Sequence, residues 1–245
     1  MAKKEIGYQL EDQESIQEKT LEGSPFALFF ELDGVVHARK ATFEVFSSLL
    51  NEQNIKLTHS QFAKYCHHAS PYYYLPELLE QVGAKKISAD KLADDVMSGV
   101  ATHLTSKEAV LADGFEKILK YATREGIRLG ALSALPGSTA KSLMAQHQFN
   151  DMGAELFTFE GNNSVFPRAD MWLKMAKQTS RSPQSCIVFS TSTISCKSAL
   201  SANMRCVAVP DEFTNFQDFG GSDMIVDSYQ EIDPQKLFDL IFAAV

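Results

Sequence analysis

The chain has 245 residues, of which 44% are hydrophobic and 22% are charged, and its formal net charge is -8. This length is enough for one large domain, or for a core domain with a smaller inserted one, and the apolar content excludes a wholly disordered chain. An acidic chain without a dense basic run is a poor match for nucleic acid. No apolar stretch approaches the roughly 20 residues that a membrane helix needs. We therefore expect a folded protein that binds neither nucleic acid nor membrane.

The cysteines and the N-terminus indicate where the protein works. No Cys-x-x-Cys pair is present, and His67 and His68 are adjacent rather than one helical turn apart, so a structural metal site is not expected. The first residues lack the apolar run of a secretory signal. The sequence thus predicts a cytoplasmic protein with four free thiols. These are Cys66, Cys186, Cys196 and Cys206.

Short apolar runs alternate with helical patterns over most of the chain. The first run begins at Phe26 and ends in Asp33-Gly34, a pair that favours a turn after a buried strand. Further strands are predicted at 128–133, 155–159, 186–190, 205–210 and 224–226. Helices are predicted at 114–124, 138–147, 168–179 and 197–202, and a last one begins at Asp233-Pro234. This alternation predicts a doubly wound α/β fold whose parallel sheet is covered on both faces.

Residues 41–112 interrupt the alternation because they contain helical patterns only. Within them Thr58 and Gln61 form a capping box at a helix start. The predicted helices span 42–53, 58–69, 75–82 and 88–105. We therefore predict an all-helical cap, residues 41–112, inserted into an α/β core made of residues 26–40 and 113–245. Residues 1–25 are predicted to be a polar tail.

The residues that follow the predicted strands matter most, because ligands of an open parallel sheet bind at the carboxyl ends of its strands. The chain contains four such segments in succession, which are residues 30–36, 131–133, 166–170 and 189–192. From residue 26 to residue 209 the chain resembles the haloacid dehalogenase (HAD) superfamily, in its branch of phosphatases and β-phosphoglucomutase-like proteins with a helical cap. In that family the four motifs are Asp-x-Asp-Gly, a strand ending in Ser or Thr, Lys-Pro-x-Pro-Asp, and Phe-Glu-Asp-Ser.

Several active residues of the family are replaced in this chain. The resemblance places Glu31 where the family has its nucleophilic aspartate, and Phe166 where it has a phosphate-holding lysine. Ser190 and Thr191 stand in place of acidic magnesium ligands. Glutamate carries its carboxylate one methylene further out, and a misplacement of about 1 Å costs on the order of a hundredfold in rate. Magnesium is normally held through carboxylates, which neutral hydroxyls replace poorly.

Other residues match the family or are candidate substitutes. Asp33 stands at the family's acid/base position, Ser133 at its phosphate-binding position, and Asp170 at the end of the third motif. Arg168, two residues after the lost lysine, is either a substitute anion binder or a solvated residue at a helix start. Glu31 is expected to face a wet crevice, because burying a lone charge is costly.

We therefore predict a HAD-fold protein that is catalytically impaired or inactive, with a residual crevice for a small phosphorylated or anionic ligand. Its candidate site contains Glu31 and Asp33 as vestigial or altered catalytic groups, and Ser133, Ser190, Thr191 and Arg168 as ligand-binding groups. No metal and no cofactor are expected.

Two alternatives stay open from the sequence. One is an active phosphoric-ester hydrolase that uses Glu31 and Asp33 and takes magnesium. The other is a protein-interaction module with a vestigial site and an unknown protein partner. Tyr72, Tyr73 and Tyr74 lie in the predicted cap, where they either roof a ligand crevice or pack among the helices.

Overall fold

A computed structural model of the chain describes residues 24–65, 70–106, 110–159 and 166–242. The described residues form a sheet of six strands in the order β3-β2-β1-β4-β5-β6, and every neighbouring pair is parallel. The strands are β1 (Ala27–Glu31), β2 (Arg128–Ser133), β3 (Ala154–Thr158), β4 (Cys186–Ser190), β5 (Arg205–Ala208) and β6 (Met224–Ile225). The predicted doubly wound α/β fold is confirmed, and the order reverses direction beside β1.

The central strands are buried on both faces, as their continuous apolar sequence predicts. Because side chains alternate along a strand, Leu28 and Phe30 of β1 point into one apolar cluster, while Ala27 and Phe29 point into another. All five residues of β1 are buried. Fully burying one such large apolar side chain contributes about 1.5–3 kcal/mol. Packing in the two clusters fixes the position and direction of β1, and therefore the position of the residues at its carboxyl end.

The described residues also form ten α-helices. They are α1 (Leu32–Val35), α2 (Ala38–Asn51), α3 (His59–Tyr65), α4 (Pro71–Gln81), α5 (Ala89–Leu104), α6 (Phe115–Arg124), α7 (Gly137–Gln146), α8 (Ala169–Gln178), α9 (Thr193–Ser201) and α10 (Pro234–Phe242). None of the helices in the described part of the chain is long and apolar enough to cross a membrane.

Between β1 and β2 the described residues contain helices and no strand. The capping box at the start of α3 is present: Thr58 N–H donates to Gln61 Oε1 at 2.9 Å, and Gln61 N–H donates to Thr58 Oγ1 at 3.2 Å. At the last helix, Asp233 Oδ1 accepts from Lys236 N–H at 3.2 Å, as an N-cap should. The division into cap and core stays a prediction, although the all-helical insertion on which it depends is present.

Several predicted element starts are wrong, and local chemistry explains them. Asp33-Gly34 lies within the one-turn helix α1 rather than in an open turn. Helix α2 begins four residues earlier than predicted, directly after His37, which adopts a left-handed conformation. Helix α4 begins at Pro71 because proline suits the first helical turn, where its missing N–H costs nothing. Ser192 caps α9 by accepting from Ser195 N–H at 3.3 Å, in a polar stretch that resembles a loop.

The predicted thiols are borne out only in part, because Cys66, His67 and His68 lie outside the described residues. Cys186, Cys196 and Cys206 are free and buried.

Candidate functional site

Three candidate residues end strands that lie side by side. Glu31 is the last residue of β1, Ser133 the last of β2 and Ser190 the last of β4. Strand β1 pairs with both β2 and β4, so these residues meet at one edge of the sheet. Their convergence follows directly from the parallel register, and it forms the centre of the candidate site.

Asp33 is held by two hydrogen bonds from the end of β2. Its Oδ1 accepts from the Ser133 hydroxyl, and its Oδ2 accepts from Ala134 N–H at 2.9 Å. Burial raises the pKa of Asp33 from 3.8 to about 6; the two hydrogen bonds oppose this shift, and the nearby Glu31 charge adds to it. A carboxyl with such a pKa can donate or accept a proton near neutral pH.

Glu31 is buried more deeply than its sequence suggests. The residue is 5% exposed, although it lines a narrow crevice together with Asp33. Its Oε1 accepts from Thr191 N–H at 3.1 Å. Burial raises the pKa of Glu31 above its ordinary value, while Ser195, Thr191 and Arg39 act to lower it. The hydrogen bond from Thr191 N–H and the nearby positive charge of Arg39 offset part of the cost of burying this group.

The hydroxyls around Glu31 are poorly placed to serve a ligand or ion. Ser190 Oγ donates to the Ser192 carbonyl at 2.9 Å and also accepts from Ser192 N–H at 3.4 Å. Thr191 Oγ1 and Ser195 Oγ are buried and make no hydrogen bond of ordinary geometry, although Ser195 lies near enough to Glu31 to affect its pKa. This part of the site therefore contains neutral hydroxyls where the sequence comparison expects carboxylates.

The third motif contributes an apolar side chain and an outward-facing cation. Phe166 is 3% exposed and packs in the apolar cluster that includes Phe29 and Leu132. Arg168 is half-exposed and forms a paired hydrogen bond with Asp170, at 2.9 and 2.7 Å. The structure thus brings Glu31, Asp33, Ser133, Ser190 and Thr191 together, while the guanidinium of Arg168 pairs with its own helix.

Sequence reasoning missed one cation, Arg39. It lies in the first turn of α2, forms an ion pair with Asp211, and lowers the pKa of both Glu31 and Asp33. The predicted helix began at residue 42, so the sequence analysis did not place Arg39 on a helix near the carboxyl end of β1. A helix predicted to begin at residue 38 would have placed Arg39 in its first turn, close in sequence to Asp33.

The crevice that contains both carboxylates is narrow. Its volume is about 50 Å³, whereas small-molecule pockets are typically about 300–1,000 Å³. Arg39 and several apolar side chains close it, which are Phe62, Tyr74, Met97, Val100 and Leu135. Tyr74 is therefore the tyrosine that roofs the crevice, whereas Tyr72 bonds to Asp94 on the exposed surface. In this conformation the crevice has room for a few water molecules and for nothing larger.

The oxygen atoms of the candidate site are not arranged to bind a magnesium ion. Magnesium takes about six oxygens in nearly octahedral geometry and is usually held through one or two carboxylates. Glu31 Oε1 is already bonded to Thr191 N–H, and Ser190 Oγ is bonded to a backbone carbonyl. Within the described residues no group of three or more His, Cys, Asp or Glu side chains could hold a metal ion. We therefore derive no chemical step through magnesium.

The fold and the ordered motif positions define a class of protein. The sequence model of the haloacid dehalogenase-like hydrolases matches residues 28–209, and the chain belongs to that family. A relative from Bacillus subtilis (strain 168), named "Putative phosphatase YhcW", is 26% identical over 214 residues, which are 87% of this chain and 96% of the relative.

Solved structures share the fold at low sequence identity. CbbY from Rhodobacter sphaeroides, crystallised with phosphate, has a TM-score of 0.70 and 14% identity, covering 84% of this chain and 96% of CbbY. β-Phosphoglucomutase from Clostridium difficile has a TM-score of 0.71 and 17% identity, covering 89% of this chain and 97% of that protein. These likenesses show that the chain shares the fold of these proteins.

Proposed function

We propose that this protein is a degenerate HAD-fold phosphatase that binds a small phosphorylated or anionic ligand with little or no turnover. The observation that carries the proposal is the environment of Glu31. Its carboxyl group is buried, which raises its pKa, and it lies beside the neutral hydroxyls of Thr191 and Ser195. A buried carboxyl group whose Oε1 already accepts from Thr191 N–H is a poor nucleophile, because attack on phosphorus needs an accessible oxygen in line.

The positive charge that would compensate a bound phosphate also comes from a different residue. The position of the family lysine is filled by Phe166, which packs into the apolar cluster. Arg39 supplies a positive charge near both carboxylates instead. Anion binding then requires Arg39 to leave Asp211 and the cap helices to move, because the crevice is about 50 Å³. CbbY has been crystallised with phosphate and with xylulose-(1,5)bisphosphate, which makes phosphorylated sugars suitable first probes here.

One observation favours the alternative of an active hydrolase. Asp33 has a pKa of about 6, which suits a general acid or base near neutral pH, and it keeps its partner Ser133. The interaction-module alternative has no such observation behind it and stays a prediction. The proposed cytoplasmic location rests on the free, buried thiols of Cys186, Cys196 and Cys206.

Catalysis is tested with a generic phosphate ester in the presence of magnesium. The unmodified protein should stay near background, and Glu31→Ala should not change that rate. The triple variant Glu31→Asp, Phe166→Lys and Thr191→Asp restores the lost groups together, whereas Glu31→Asp alone should stay inactive because catalytic residues act non-additively. Ordinary turnover by the unmodified protein, abolished in Glu31→Ala, would overturn the proposal.

Anion binding is tested separately by calorimetry with inorganic phosphate and a sugar phosphate. Arg39→Gln should weaken binding at least about tenfold, since hydrogen bonds to charged groups contribute about 1.5–3 kcal/mol. Arg168→Gln is the matched control, because it removes an equal charge from a guanidinium that already pairs with Asp170. If Arg168→Gln weakens binding and Arg39→Gln does not, the assignment of Arg39 is wrong.

A further inference from the structure

A short segment after β5, residues 211–214, contacts both the sheet and the all-helical segment between β1 and β2. On the sheet side, the Thr214 hydroxyl donates to the Thr191 carbonyl at 2.7 Å, directly after β4. On the helical side, Asp211 forms an ion pair with Arg39 of α2. The segment therefore connects the end of the sheet to a helix that lines the narrow crevice of the candidate site.

Within this segment, Phe213 packs against two helices at once. It is 2% exposed and lies in an aromatic group with Phe43 of α2 and Phe62 of α3, at 5.4 and 5.0 Å between ring centroids. Its ring also stacks on His59, the first residue of α3, at 4.3 Å. Aromatic pairs at such separations attract each other beyond the burial of their area. Since Phe62 also lines the narrow crevice, Phe213 keeps that wall in place.

The Asp211 carboxylate is held in position by its own turn. Its Oδ1 accepts from Phe213 N–H at 2.9 Å, and the Thr214 hydroxyl accepts from Asp211 N–H at 3.0 Å. The other carboxylate oxygen, Oδ2, is the one that pairs with Arg39. Asp211 therefore presents a fixed negative charge to Arg39, and it keeps the donor at Phe213 if Arg39 leaves.

The guanidinium of Arg39 has unused donors. A guanidinium carries five N–H donors, and within the described residues Arg39 makes one side-chain hydrogen bond, to Asp211 Oδ2. The side chains of Arg39 and Asp211 are 21% and 27% exposed, so an anion from solution can reach the pair. Arg39 is also the cation that lowers the pKa of both Glu31 and Asp33. An anion that binds beside these carboxyl groups must therefore compete with Asp211 for the same guanidinium.

We propose that residues 211–214 form an autoinhibitory latch, in which the Asp211 carboxylate occupies Arg39 in place of an external anion while Phe213 holds α2 and α3 over the crevice. Opening the latch frees the guanidinium and one wall of the crevice together, because both contacts belong to the same turn. The proposal rests on the proposed anion-binding role of Arg39 and adds how that site is regulated.

Calorimetry with inorganic phosphate and a sugar phosphate tests the competition. Asp211→Asn keeps a side-chain acceptor for Phe213 N–H but loses the charge, so it should bind the anion at least about tenfold more tightly than wild type. Adding Arg39→Gln to Asp211→Asn should abolish the gain, because the gain depends on the freed guanidinium.

Glu212→Gln is the matched control for the loss of one negative charge. The Glu212 side chain is half-exposed, lies 3.5 Å from His59, and forms no ion pair with Arg39 in the described part of the chain. Exposed pairs of this kind contribute little, so anion affinity should change by less than about threefold.

Amide hydrogen exchange of the ligand-free protein tests the closing contact without any anion. Asp211→Asn and Phe213→Ala should each speed exchange in α2 and α3 at least about fivefold, because these helices lose a contact that keeps them closed. Exchange in α6, which packs on β2, is the internal reference because it reports any global unfolding.

Tighter anion binding by Asp211→Asn, together with faster exchange in α2 and α3, supports the latch. The proposal is overturned if exchange in these helices is unchanged in both variants. It is also overturned if wild type binds the anion and Asp211→Asn binds it no more tightly than Glu212→Gln does. If no variant binds an anion while exchange rises, the proposed function and the competition for Arg39 fail, whereas the closing contact is supported.

Discussion

The two carboxylates that follow β1 are neighbours, yet they are held in opposite ways. Asp33 accepts from the Ser133 hydroxyl and from Ala134 N–H, so both of its oxygens are paired. Glu31 has one backbone donor, and the hydroxyls of Thr191 and Ser195 beside it lack hydrogen bonds of ordinary geometry. The half that keeps the family's residues is a satisfied network, whereas the half with replaced residues contains unpaired polar groups. The retained residues and the replaced residues therefore differ in how well their polar groups are hydrogen-bonded, and not only in sequence.

The largest expected effect is the pH dependence that Asp33 introduces. Its pKa of about 6 exceeds the ordinary value of 3.8, so the folded protein binds this proton more tightly than the unfolded chain. The resulting stabilisation is fully present below about pH 4 and is lost as the pH rises through 6. Between pH 4 and pH 7.5 the wild type should lose about 2.4 kcal/mol of unfolding free energy relative to Asp33→Asn.

Urea unfolding of both proteins across that pH range measures the difference directly. Glu31 is present in both proteins, so the comparison reports the titration of Asp33 together with its interaction with Glu31. Asp151→Asn, at an exposed turn, controls for the loss of one carboxylate. Parallel stability curves for wild type and Asp33→Asn would show that Asp33 titrates alike in the folded and unfolded chain, contrary to the structure.

A second test compares a paired hydroxyl with an unpaired one. Ser133→Ala removes the donor to Asp33 and the acceptor for Leu135 N–H, so it should cost about 2 kcal/mol of unfolding free energy. Ser195→Ala removes a buried hydroxyl that makes no hydrogen bond of ordinary geometry but lowers the pKa of Glu31, so it should cost less than Ser133→Ala, about 1 kcal/mol or below. Equal losses in chemical denaturation would show that the two halves of the site are bonded alike.

The fold was predictable because its signals are continuous and local. Each central strand is an unbroken apolar run, and the parallel order follows from the helices between the strands. The starts of α2, α4 and α9 were missed because the residues there are polar, aromatic or proline, which suit loops as well as first turns. Boundaries depend on caps and backbone conformation, and these are only partly visible in sequence.

The position of the candidate site was predictable from the sequence, but the burial of its carboxyl groups and the narrowness of its crevice were not. The ends of β1, β2 and β4 bring Glu31, Ser133 and Ser190 together, as parallel strands must. The near-complete burial of Glu31 was not predicted, because the backbone donor at Thr191 that offsets part of the cost of burying a charge is distant in the sequence. The approach of Arg39 depends on where α2 begins and on its long-range partner Asp211, which sequence spacing does not reveal.

A third test concerns the packing between the two halves. A Cβ at Gly34 would lie 2.6 Å from Thr191 Cγ2, which is closer than real side chains approach. Gly34→Ala should therefore cost about 1–2 kcal/mol, since overpacking outweighs the gain from alanine in a helix. Adding Thr191→Ala removes the opposing methyl group and should recover most of the loss. Additive effects in this double-mutant cycle would contradict direct contact between the two positions.

The smallest expected effect is that of removing the unpaired hydroxyl of Thr191. Thr191→Val replaces Oγ1 with a methyl group of similar size and keeps the backbone groups that bond to Glu31 and Thr214. Since the lost hydroxyl makes no hydrogen bond, the variant should be as stable as wild type or more stable by up to about 1 kcal/mol. A loss of more than about 1 kcal/mol in denaturation would instead mean that the hydroxyl is satisfied in solution, which would remove Thr191 from the unpaired groups that distinguish the two halves.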